Sequence, residues 1–199
     1  ITLGDGFAAD GTTANGTTAN FDSIDFAGST VTITEAGDMS IAASEATGVL
    51  SLMSSTGTIS QTGRIDAGNI SSFTTSTNDK VINLGNTSNA LTGAVSFTTG
   101  GTAGNVAVDN GTTALDLAAS TISGTLIAIG GAAAGIVDSG NIVVAGNVTL
   151  ITDANNGVIN LNTLQQSAGD LVLTTDGTGD ATVVNNAAID FGTTSVGGK

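Results

Sequence analysis

The 199-residue chain has no Cys, His, Pro, Tyr or Trp, and its only basic residues are Arg64, Lys80 and Lys199. Without Cys there is neither a disulfide framework nor a thiolate. Without His, Cys or Tyr most nucleophile, general-base and zinc arrangements are closed, and only carboxylate chemistry stays open. Three scattered cations cannot neutralise a phosphate backbone, so a nucleic-acid partner is excluded. The net charge of -14 also opposes adsorption to anionic lipid, and it favours solubility. Aromatics are 3% of the chain, all of them Phe. A core of Val, Ile, Leu and Ala has little side-chain volume and must be thin, which suits an elongated protein.

What is present is patterned. Hydrophobic residues make up 40% of the chain, which argues against intrinsic disorder. IDFAGSTV begins at Ile24, LDLAASTI at Leu115 and IDFGTTSV at Ile189. ITLG at Ile1, INLG at Ile82 and INLN at Ile159 form a second set, and ISQTGRIDAGN at Ile59 pairs with IVDSGNIVVAGN at Ile136. The spacing divides the chain into repeats 1–81, 82–158 and a partial 159–199, all within one segment. Within a repeat the period is 2. Ile24-Asp25-Phe26, Leu115-Asp116-Leu117 and Ile189-Asp190-Phe191 each put two apolar residues on one face and an Asp on the other. Turn-forming residues punctuate these runs, and helical spacing is nearly absent.

Short strands under a long-period repeat predict an all-β parallel β-helix, or β-solenoid, of about nine coils and about 40 Å. On this reading each phrase returns because the same face of the solenoid returns. Gly-Asn pairs at 68–69, 85–86, 104–105, 140–141 and 146–147 are expected at corners, with positive φ and with asparagines stacked in ladders. From Leu117 to Val137 no residue is charged, long enough for a membrane span. The aligned stretch of the first repeat carries Glu35, Asp38 and Glu45, which excludes a span.

The runs INLGNTSNALTGAVSFTT, NVAVDNGTTALDLAASTISGTL and GNIVVAGNVTLIT resemble the repeat region of filamentous-haemagglutinin-like exoproteins, which leave bacteria by two-partner secretion. The resemblance implies a right-handed parallel β-helix, a secreted or cell-surface location and an adhesive or matrix-forming role. It implies a stalk segment of a larger chain, touching neighbouring solenoid segments or copies of itself end to end, and carbohydrate only through other regions. No signal peptide is visible at Ile1, and the chain reads as cut from something longer.

The search for chemistry yields little. Asp25, Asp116 and Asp190 are expected several coils apart, facing solvent, too distant to share a polysaccharide. Asp176-Gly-Thr-Gly-Asp180 has oxygen ligands in a Gly-rich turn, but it occurs once and lacks the tandem copies of a calcium roll. Thr doublets (Thr12-Thr13, Thr17-Thr18, Thr74-Thr75, Thr98-Thr99, Thr112-Thr113, Thr174-Thr175) put one hydroxyl in and one out, unlike the outward rows that bind ice. No catalytic, cofactor-binding or metal-binding residue is expected. The sequence favours a non-enzymatic rod, with a self-assembling filament subunit second and a polysaccharide-acting enzyme third.

Overall fold

The computed structural model describes Thr2–Leu3 and residues 21–199. The Thr12-Thr13 and Thr17-Thr18 doublets, and Ile1 and Gly4 of the first ITLG, lie outside the described residues. Every paired strand among those described runs parallel to its neighbours, in sheets of eleven, eight and four strands. The chain is an all-β parallel β-solenoid. Met39, Ile59, Ile82, Val106, Leu126, Val148, Leu171 and Phe191 stand one above another in the eight-stranded sheet, each turn consuming 20 to 24 residues. That is about eight turns over the described residues, beside the nine expected of the whole chain.

Alternation makes the core. Val31–Glu35 and Leu50–Ser54 bury every second residue, and the inward positions of successive coils are in register. One column runs Ile33, Leu52, Phe73, Phe97, and its two rings stack with centroids 5.8 Å apart. Such columns, one facing inward from each sheet, together fill a narrow interior, which is why a sequence poor in bulky residues can still close one. The apparent span at 117–137 is broken into the strands Leu115–Leu117, Ser120–Ile122, Leu126–Gly130 and Ile136–Asp138. No helix among the described residues is long and apolar enough to cross a membrane.

The repeat does not return to the same face, which corrects the sequence reading. Ser71–Asn78 lies in the eleven-stranded sheet, while its counterpart 77 residues on, Val148–Asn155, lies in the eight-stranded sheet. Their burial patterns are identical, and each is followed by a left-handed residue, Asp79 or Asn156, at φ 62°. Ile82–Leu84 and Ile159–Gln166 exchange sheets in the opposite sense, as do Ile59–Gln61 and Ile136–Asp138. One repeat therefore makes about three and a half turns, at 20 to 24 residues each. Both sheets demand the same inside–outside alternation, so a phrase that satisfies one satisfies the other.

The Gly-Asn corners also differ from expectation. None of those five glycines has positive φ, whereas Gly101 and Gly177 do. Gly140 is required by proximity instead: a Cβ there would sit 2.4 Å from the Ala119 amide nitrogen of the coil below. Gly85 is roomier, with only the Asn83 side-chain oxygen nearby at 3.2 Å. Nor do these asparagines form a ladder with one another. Asn105 accepts from the Thr125 amide and Asn147 from the Asp170 amide, each one coil on. The buried amides are others: Asn89 exchanges hydrogen bonds with Gln61, and Asn110 closes both main-chain groups of Leu91.

Two contrasts test this packing by thermal unfolding followed by circular dichroism. Leu117 is 1% exposed, so Leu117→Asp buries an unpaired charge and should cost upward of about 3 kcal/mol. Asp116→Asn should be near neutral, since Asp116 already keeps one buried oxygen without a hydrogen bond. Gly140→Ala should lower the melting temperature well below that of Gly85→Ala. Equal effects within either pair would contradict the inside–outside assignment or the inter-coil spacing.

Candidate functional site

The three phrase-borne aspartates do not meet. Asp25 is exposed beside Ile24, which bridges Ile41 of the eight-stranded sheet, and Asp190 pairs with Asp170 in that same sheet, far up the stack. Asp116 lies in the eleven-stranded sheet, paired with Val137 and half-buried. The equivalent placement expected of the three thus fails for Asp116, again because the repeat exchanges faces.

Besides Asp170 and Asp190, a second pair of acids, Glu45 and Asp66, approach one another. They are register partners on adjacent coils of the four-stranded sheet, and Arg64 pairs with Asp66. With Phe26, Ala27, Ala43 and Ser44 they line a shallow, open depression. Both partners of the ion pair are substantially exposed, so it contributes little to stability. Among the described residues no three acids gather in a metal-binding group.

Three other carboxylates cap corners. Asp38 accepts the Thr58 amide at 2.8 Å, and Asp138 accepts the amides of Asn162 and Thr163 together with the Thr163 hydroxyl. Asp79 accepts the amides of Thr102 at 2.7 Å and Ala103 at 2.8 Å. In each case an acid at one corner satisfies amides that the turn one coil higher leaves without a strand partner. Asn156 does the same for the amide and hydroxyl of Thr178, both at 2.8 Å. The signal was legible in retrospect: an Asp or Asn followed by a Thr one coil later.

The Asp176–Asp180 turn belongs to this scheme. Asp176 accepts the Gly177 amide and Asp180 accepts the Lys199 amide. Gly177-Thr178 sits on Asn156 as Gly101-Thr102 sits on Asp79, with a left-handed glycine in each. The lower copy of the turn is Gly100-Gly101-Thr102-Ala103-Gly104, with no acid in it. The turn geometry therefore requires neither carboxylate.

Behind the corners run two columns of buried hydroxyls, one in the eleven-stranded sheet with Ser54, Thr75 and Thr99 and one in the eight-stranded sheet with Thr152 and Thr175, in line with the one-in, one-out reading of the Thr doublets. The second Thr of each of three doublets points inward: Thr75 donates to the Lys80 carbonyl, Thr99 to Gly104 and Thr175 to Gly179. Thr152 donates likewise to Gly157. Glu35 heads the column of the eleven-stranded sheet, in register with Ser54, and is fully buried. One of its oxygens accepts the Phe21 amide at 2.9 Å, and the other has no hydrogen bond among the described residues. Burial raises the Glu35 pKa; the Phe21 amide opposes the shift and the Asp38 charge adds to it.

A family model described as Repeats of unknown function (DUF5649) matches residues 28–98 and 103–175. No curated protein and no solved structure matches the chain. The two matched segments carry the two face-exchanged copies of the fold; they begin at different points from the division at 82 and 159, since a cyclic pattern has no unique starting residue.

The caps predict acid sensitivity. The Thr58 amide lowers the Asp38 pKa, and the Thr102 amide, followed by that of Ala103, lowers the Asp79 pKa. A carboxyl held below its unfolded value of about 3.9 stabilises the fold above that pH and loses the contribution as pH falls through the folded value. Asp79→Asn copies the cap already present at Asn156. It should leave stability at neutral pH near the parent's and shrink the loss on acidification below about pH 4, measured by urea unfolding across pH. A parent-like acid profile in this variant would remove Asp79 from the account.

Proposed function

The chain belongs to this repeat family, and from that premise we propose that it is a rigid, non-catalytic rod segment of a secreted or cell-surface bacterial exoprotein of the filamentous-haemagglutinin-like kind. The unbroken stack of about eight coils on one continuous aliphatic core carries this reading. Each coil's strand amides and carbonyls bond to the coils above and below, so bending the rod means breaking several hydrogen bonds at once. The non-catalytic part is supported by the failure of Asp25, Asp116 and Asp190 to converge and by the shallowness of the Glu45–Asp66 depression. The bacterial-surface part is supported by the resemblance of the repeat phrases. The role is to set a distance between whatever flanks the segment, for adhesion or matrix building.

A spacer should change length in repeat-sized steps. Deleting 82–158 joins Val81 to Ile159, which continues the same pattern after about three and a half turns. Small-angle X-ray scattering should then show the longest dimension shortened by about 17 Å with the cross-section unchanged. A thicker particle, or one of undiminished length, would defeat the rod reading.

A further inference from the structure

The two copies of the repeat build the same frame and carry different side chains on its outside. In the second copy, four successive strands of the eight-stranded sheet place two columns at outward positions: Ala107, Ile127, Thr149, Val172 and Asp109, Ile129, Ile151, Thr174. In the first copy the corresponding positions, on the eleven-stranded sheet, are Thr32, Ser51, Ser72, Ser96 and Thr34, Met53, Thr74, Thr98. One face is hydroxylic, the other largely aliphatic. The inward residues of both are buried and mostly aliphatic, so the core does not call for the change. The single charge within the aliphatic face is Asp109, which is 8% exposed and accepts the Gly111 amide at 2.9 Å. Ile127 is 42% exposed, and beside it Val81, Asn105, Ala107 and Thr125 line an open hollow of about 260 Å³.

We propose, beyond the spacer reading and from the solenoid fold alone, that a second copy of the chain docks on this face, rod beside rod and sheet on sheet. Pairing about a two-fold axis sets the same patch against itself, so the patch must be its own complement. This one is: Ile127 is a knob with a hollow next to it, and each copy's Ile127 enters the hollow of the other. Two sheets stacked at about 10 Å interdigitate aliphatic side chains in this way. In a chain of net charge -14 the aliphatic face also offers a centre where no free acid meets another. Asp153 and Asp170 stand exposed just outside it, so added salt should strengthen pairing by screening their repulsion. The face is small against a standard interface of about 1,600 Å², so pairs form at high concentration and separate on dilution.

The intact chain would be followed by sedimentation velocity over a wide range of concentrations, at low and high salt. A monomer–dimer equilibrium that shifts toward dimer with concentration and with salt is expected. Ile127→Ser combined with Ile151→Thr copies the residues of the first repeat. It should keep the parent's melting temperature at dilution and weaken pairing by roughly ten- to a hundred-fold. Because the chain has no Cys, single introduced thiols report on the geometry. A short bis-maleimide should link Ile127→Cys into dimers at high concentration and leave Ser51→Cys, its counterpart on the hydroxylic face, monomeric. Monomers at every concentration, which would hand the face to a partner of another kind, would overturn the inference. So would pairing undiminished in the double variant, or equal cross-linking at the two introduced thiols. The rod reading is judged apart from this, by scattering at dilution where the chain is single; unpaired rods leave it standing, and a non-rod profile there sinks it whatever the state of pairing.

Discussion

Each strand of this molecule finds its hydrogen-bond partners one turn away, in a coil below and a coil above. That requirement forces consecutive coils into register, and register brings inward residues into columns such as Ile33, Leu52, Phe73, Phe97. Each turn then sends side chains inward from its several sheets, as Leu52, Ile59 and Ala67 do, and together they fill a narrow core in a chain with six Phe and no larger aromatic. The corners are where the strand ladder lapses, and there side chains take over. Asp38, Asp79, Asp138 and Asn156 serve amides of the coil above, while Thr75, Thr99, Thr152 and Thr175 serve carbonyls of their own corner.

This division of labour gives the acidity of the chain a structural role beside its colloidal one. Asp38 and Asp79 are held ionised by main-chain amides, and Glu35 is pushed the other way by burial. The two groups have opposite dependence on pH. The caps stabilise the fold above the ordinary carboxylate range, whereas Glu35 favours it when protonated. Exchange of Asp79 for Asn156 between copies shows that the corner needs an acceptor oxygen and tolerates loss of the charge.

The half-turn carried by each repeat has a consequence for display. A feature on the outer surface of one copy reappears in the next on the opposite sheet, so two consecutive repeats address two sides of the rod. Deleting or adding one repeat therefore turns whatever follows to the other side as well as moving it along the axis.

Period-2 alternation, small aliphatic residues and a long self-similarity dictated strands, a thin core and a stack, because these depend only on each residue's local position relative to the interior. The inward second Thr of the doublets was legible on the same ground, although its carbonyl partner was not. What the tertiary structure alone decided was the pairing of faces. Turns of 20 to 24 residues do not divide evenly into a repeat of 77, so Leu115-Asp116-Leu117 and Ile189-Asp190-Phe191 read alike and yet lie on different sheets. Corner glycines such as Gly140 were likewise assigned by the coil beneath them, through a 2.4 Å approach that no stretch of neighbouring residues encodes.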